Sequence, residues 1–188
     1  MRAQSRQEEW ANAASHALGV LLALAAWPWL AAAASRQGGR IGEAAMGLFL
    51  ATMVLQYGIS TLYHALPPGR GKLWARAADH AAIFIFIAGS ATPFALGLLG
   101  GSAGAATCAL LWALALAGAW LKMMRRLTNA RLSTGAYIFF GWLALLGLAR
   151  LFGHGAARIE ATERDFVFRY RSPQHFVQVF RDWYGPVL

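Results

Sequence analysis

The chain has 188 residues, 58% of them hydrophobic and only 13% charged, about half the charged share of a soluble globular domain. This excludes intrinsic disorder, which needs low hydrophobicity. The single cysteine, Cys108 in an apolar run, excludes a disulfide-stapled domain. The net charge of +9 lies in short gaps between long apolar stretches and forms no basic face. It reads as membrane topology and not as a nucleic-acid surface.

A helix crossing a hydrocarbon core of roughly 30 Å needs about 20 apolar residues. Five stretches reach or approach this length: 16–34, 41–66, 79–99, 104–121 and 133–152. None alternates with period two, and backbone groups in lipid must be satisfied within a helix or a closed barrel. The expected fold class is therefore all-α: a polytopic transmembrane bundle of five helices over residues 1–152. The first stretch contains Trp27-Pro28-Trp29 and no small-residue cleavage motif follows it, so it reads as a span and not a signal peptide. Pro93 predicts a kink in the third helix, with Ser90 and Thr92 available to satisfy freed backbone groups.

The connections set the orientation. Arg2, Arg6, Arg70, Lys72, Arg76, Lys122, Arg125, Arg126 and Arg131 fall on one side, and only Arg36 and Arg40 on the other. The bias predicts a cytoplasmic N-terminus in an integral membrane protein whose partners are membrane lipids, not nucleic acid; the sequence leaves the oligomeric state open. Residues 153–188 change composition abruptly. They hold four of the eight acidic residues, Glu160, Glu163, Asp165 and Asp182, and no apolar run long enough to span. They are expected to form a soluble-type C-terminal tail of separate origin.

Ionisable residues at span positions are costly and mark candidate sites. His16 opens the first stretch, Ser60 and His64 close the second, and Asp79 with His80 opens the third. The topology puts all of them at one depth, near the cytoplasmic surface. Ser60 and His64 are four apart, hence on one helix face. Histidine and carboxylate at one depth suit a divalent metal such as zinc, with Asp79 as ligand or as hydrogen-bond partner to a bound water. The same residues also suit helix ends that face headgroups or water, since Asp favours helix N-termini. No Walker A pattern, GxGxxG, CxxC pair or nucleophile elbow is present.

Three motifs occur in order: Asn12-Ala13-Ala14-Ser15-His16-Ala17-Leu18-Gly19, then Ser60-Thr61-Leu62-Tyr63-His64, then Asp79-His80-Ala81-Ala82 running on to Ala91-Thr92-Pro93. Over about residues 8 to 150 the chain resembles the hemolysin III proteins, the bacterial branch of the progestin and adipoQ receptor family. The resemblance implies seven transmembrane helices in the bacterial plasma (inner) membrane and a zinc site near the cytoplasmic face. It also implies kinship with the alkaline ceramidases in a superfamily credited with membrane metal-hydrolase chemistry. Transferred motif by motif, His64 is a metal ligand, Ser60 and Asp79 are catalytic, with Asp79 orienting the zinc-bound water, and His16 is supporting.

The family's remaining ligands come from an HxxxH motif on its last helix, and this sequence contains none. The expectation is a family member truncated after the fifth span, carrying a remnant of a zinc-dependent lipid-amide or ester hydrolase-like site from which zinc is not retained. A non-enzymatic membrane-perturbing (cytolytic) or sensing protein, or an inactive truncated product, is the alternative. The stretch from Phe166 to Pro186 resembles an internal piece of a class I S-adenosylmethionine methyltransferase-like protein, without a glycine-rich cofactor loop.

The topology is directly testable. Reporters fused after Gly69 and Asn129 should read cytoplasmic, and one fused after Gly101 external; opposite readings at two of the three overturn the orientation.

Overall fold

The computed structural model describes residues 4–155 and Ser172. The chain divides into two units, Met1–Ala156 and Ala157–Leu188. The expectations for the tail, its separate origin and its resemblance to a methyltransferase fragment, lie outside the described residues.

The described residues form an all-α membrane bundle: α1 (Arg6–Ala65), α2 (Arg70–Phe94), a π-helical turn (Ala95–Leu99), α3 (Gly101–Met123) and α4 (Ala130–Gly155). Three helical stretches, Arg6–Ala65, Arg70–Gly97 and Gly101–Met123, are long and apolar enough to cross a membrane. The first is 60 residues long and is two rods in one, because Gly39 adopts φ 57°, ψ −147° and breaks its helical path. Side chains rarely tolerate that conformation, so a glycine is required there. The rods run antiparallel: Glu9 meets His64, His16 stacks on His64, and Gly19 lies against Tyr57. At the turn, a Cβ on Gly42 would come within 2.6 Å of the Ala34 carbonyl oxygen. The first two apolar stretches are thus a helical hairpin, and α4 takes up the fifth.

Ser5 caps the start of α1 with a capping box: Glu8 N–H donates to Ser5 Oγ at 3.2 Å, and Ser5 N–H donates to Glu8 Oε2 at 2.7 Å. Pro28 is accommodated within α1, whose only non-helical residue is Gly39. Around Pro93 the helix continues to Phe94 and then widens into the π turn. Ser90 and Thr92 donate to the carbonyls of Ile87 and Ala88, at 2.9 and 2.8 Å. Proline leaves the Gly89 carbonyl without its helical donor, so these hydroxyls bond its neighbours and not the freed group itself.

α2 is the central helix. Its contacts with the second rod of α1 run in opposite directions along the two helices, Ser60 with Asp79 and Thr52 with Gly89, so the pair is antiparallel. On another face Phe84, Ala88 and Ala91 pack with Leu111 and Ala115 of α3 and Phe140 of α4. Most buried residues are small, which lets helices approach closely in lipid, where no hydrophobic force drives them together. Many large apolar side chains point outward instead: Trp29 is 77% and Phe139 68% exposed. That inversion suits a bundle solvated by acyl chains.

The closest helix approach gives a clean test. A Cβ on Gly89 would sit 2.8 Å from Thr52 Cβ and Cγ2. Because Thr52 Cβ is fixed to the backbone, Gly89→Val should lower stability by about 1–3 kcal/mol, read as a drop in melting temperature in detergent. An unchanged melting temperature contradicts the packing.

Candidate functional site

The helices extend beyond the apolar stretches, and this changes the setting of the polar residues. α2 starts at Arg70, so Asp79 is the tenth residue of a helix and not an N-cap. α1 starts at Arg6, so His16 is likewise internal. The reading of these two residues as helix-end caps fails, because apolarity reports where lipid lies while the helix runs on through the polar flank. The link between α1 and α2 is correspondingly short, residues 66–69.

Two linked groups of side chains occupy this end of the hairpin. In the first, the Ser60 hydroxyl donates to Asp79 Oδ1 in a short hydrogen bond, and Gln56 Nε2 donates to both, at 3.2 Å to Ser60 Oγ and 3.3 Å to Asp79 Oδ1. Gln56, Ser60 and His64 recur every four residues, so they form one stripe along α1. Ser60 is buried, and Gln56 Oε1 is buried without a hydrogen bond.

In the second group, Glu9 is the hub. Its Oε2 lies 2.7 Å from His64 Nδ1 and its Oε1 2.9 Å from Lys72 Nζ. Lys72 also donates to the Leu66 carbonyl at 3.1 Å and sits 5.0 Å from the centre of the Tyr63 ring. One ammonium from the first turn of α2 therefore closes the C-terminal end of α1 and binds an acid from its N-terminal end. His16 stacks on His64 with ring centres 5.6 Å apart and planes at 12°. Burial pushes the Glu9 carboxyl up, but hydrogen bonds and charge from Lys72 and His64 outweigh it and hold the acid below its ordinary value. Glu9 precedes the apolar stretch 16–34.

The structure thus brings together Ser60 with Asp79 and His16 with His64. His80 is not in either group: its carbonyl accepts from the Tyr137 hydroxyl of α4 at 2.8 Å. Sequence reasoning missed Glu9, Gln56 and Lys72. Gln56 was legible from its four-residue spacing to Ser60, and Glu9 from its position two turns before His16; Lys72 gave no local signal.

Among the described residues no three His, Cys, Asp or Glu side chains are placed to hold one metal ion. His64 Nδ1 is engaged by Glu9, and Asp79 by Ser60 and Gln56. The side chains of His154 and His175 lie outside the described residues.

This is a membrane helix bundle with a polar cluster at one end of its first hairpin. A family model described as haemolysin-III related matches residues 4–169, past the boundary expected at residue 152. The "Hemolysin-3 homolog" of Bacillus subtilis (strain 168) is 36% identical over 146 residues, covering 78% of this chain and 68% of that protein. "Hemolysin-3" of Bacillus cereus is 36% identical over 155 residues, covering 79% of this chain and 70% of that protein. The chain belongs to the haemolysin-III-related family. No solved structure matches it.

The ion-pair hub should carry measurable stability. Glu9→Gln removes the charge shared by His64 and Lys72, and hydrogen bonds to charged groups are worth about 1.5–3 kcal/mol when partly buried. His64→Ala leaves the Glu9–Lys72 pair in place and should cost about 1 kcal/mol or less. Thermal unfolding in one detergent should rank Glu9→Gln below His64→Ala; the reverse order would remove Glu9 as the hub.

Proposed function

We propose that this chain is a haemolysin-III-type membrane protein whose cytoplasmic end carries the remnant of a zinc-dependent lipid-amide or ester hydrolase-like site. The observation that supports this most is the convergence of Ser60 and Asp79, with His64 one turn from Ser60 and His16 stacked upon it. These are the residue types such a centre uses, at the positions its motifs assign. The donor set of the described residues does not fit a zinc ion, so no hydrolytic step is derived. Bacterial plasma-membrane location and a cytoplasmic N-terminus belong to the same proposal and rest on the nine-to-two distribution of basic residues across the connections.

A second reading, a non-enzymatic membrane-perturbing or sensing protein, draws on the Glu9–His64–Lys72 hub. There His64 of the last turn of α1 meets Glu9 of its first turn, and Glu9 meets Lys72 of α2. The word hemolysin belongs to the names of the Bacillus relatives; for this chain, lysis is part of the second reading only.

Metal analysis of the purified, detergent-solubilised full chain decides between an operating centre and a remnant. The expected result is well under one zinc per chain, unchanged by His64→Ala. One zinc per chain, lost in His64→Ala, would establish an operating centre and overturn the remnant.

A further inference from the structure

On the other side of α2 a second polar cluster lies at the same end of the bundle, and its character is cationic. Lys122, in the last turn of α3, is only 8% exposed. Its ammonium lies 5.8 Å from the centre of the Tyr137 ring of α4, and Arg76 of α2 lies one helical turn before His80 on the same stripe. Tyr137 in turn donates to the His80 carbonyl. Ser133, one turn before Tyr137, is 4% exposed and its Oγ, close to the Tyr137 hydroxyl, makes no hydrogen bond of ordinary geometry. Among the described residues no acidic side chain forms an ion pair with Lys122 or Arg76.

A buried cation is stable only when paired or hydrogen-bonded. Here a buried ammonium, a second cation and a buried hydroxyl without a hydrogen bond come from three helices, and among the described residues no carboxylate pairs with either cation. We propose that this cluster, drawn from α2, α3 and α4, binds the phosphate of an anionic phospholipid headgroup. The occupant is a lipid and not a free anion because of the cluster's surroundings. It stands where helices long enough to cross a membrane end. Arg76 is exposed, so a headgroup can reach the pair from the interface. Trp120, Met124 and Leu132, next along the chain, are 57%, 51% and 63% exposed and offer apolar contact to acyl chains. Arg125, Arg126 and Arg131 follow in the α3–α4 connection and at the start of α4, all exposed, and add attraction for an anionic leaflet.

The chemistry gives each residue a role. Lys122 supplies the point charge, Arg76 the planar fork that matches two phosphate oxygens, and Ser133 a hydroxyl donor. The cation–π contact with Tyr137 orients the ammonium in the meantime.

The test is lipid binding to the purified full chain in detergent, measured by native mass spectrometry with phosphatidylglycerol, phosphatidylcholine and inorganic phosphate as separate probes. Phosphatidylglycerol should bind in preference to phosphatidylcholine, and inorganic phosphate at equal concentration should not displace it. Lys122→Met should lose about fivefold in phosphatidylglycerol affinity, the share of one basic residue at a membrane surface, with phosphatidylcholine unaffected. Arg76→Gln alters an exposed side chain and should fold normally, so it carries the same test if Lys122→Met does not fold. Equal binding of the two lipids, or an undiminished preference in Arg76→Gln, overturns the site. Displacement of the lipid by inorganic phosphate overturns the lipid as its occupant.

Discussion

A carboxyl group ten residues into a membrane helix must find its partners within the protein, and where Asp79 finds them sets the register of the bundle. Leaving such a group unpaired in apolar surroundings costs several kcal/mol. Ser60 and Gln56 supply both hydrogen bonds from one stripe of α1, so α2 can take only the rotation that turns Asp79 toward that stripe. With that end fixed, the antiparallel register carries Thr52 to Gly89. The polar contact specifies the alignment, and the missing side chain at Gly89 permits the distance. The face bearing Phe84, Ala88 and Ala91 is then left for α3 and α4.

The lipid-facing part of this architecture was legible in the sequence because its cause is local. Apolar length marks each stretch, and the Gly38-Gly39 pair between Arg36 and Arg40 lies where the chain reverses. The helix ends were not legible. Residues 70–78 and 6–15 are too polar to count as span, yet they are helical, since a helix does not stop where the lipid does. The consequence reached the site: Asp79 and His16 looked like end residues and are interior ones. Within the site, the pairing of Ser60 with His64 on one face followed from spacing alone, and the meeting of Ser60 with Asp79 followed from an antiparallel pair joined by a short link. The Glu9–His64 contact bridges 55 residues and depends on how the Gly39 turn closes the hairpin. No periodicity encodes that.

Glu9 also accounts for how a histidine pair sits at this end without a third donor. The two imidazoles stack 5.6 Å apart, and the Glu9 carboxylate holds the Nδ1 edge of one of them. Lys72 neutralises the acid in turn and caps the α1 carbonyls. The chain of contacts runs from the first turn of α1 through its last turn to the first turn of α2, so three helix ends are tied by one carboxyl and one ammonium. The hairpin is closed at this end by the Glu9 contacts and turns at the other through Gly39.

The two polar clusters also explain each other. Arg76 is three residues before Asp79, close enough on a helix for an ion pair, and neutralising that acid with that base would be the cheapest arrangement for both. The structure does not use it. Asp79 is held toward α1 by a hydroxyl and an amide, both neutral, while Arg76 remains exposed one turn before His80, whose carbonyl accepts from Tyr137 of α4. Helix α2 therefore keeps its acid on the hairpin side and its base on the α3–α4 side. Keeping them apart leaves one side of the helix with a carboxyl bonded to a serine and an amide, and the other with two cations that, among the described residues, have no ion-pair partner. The separation gives α2 two polar sides of opposite character at one end of the bundle.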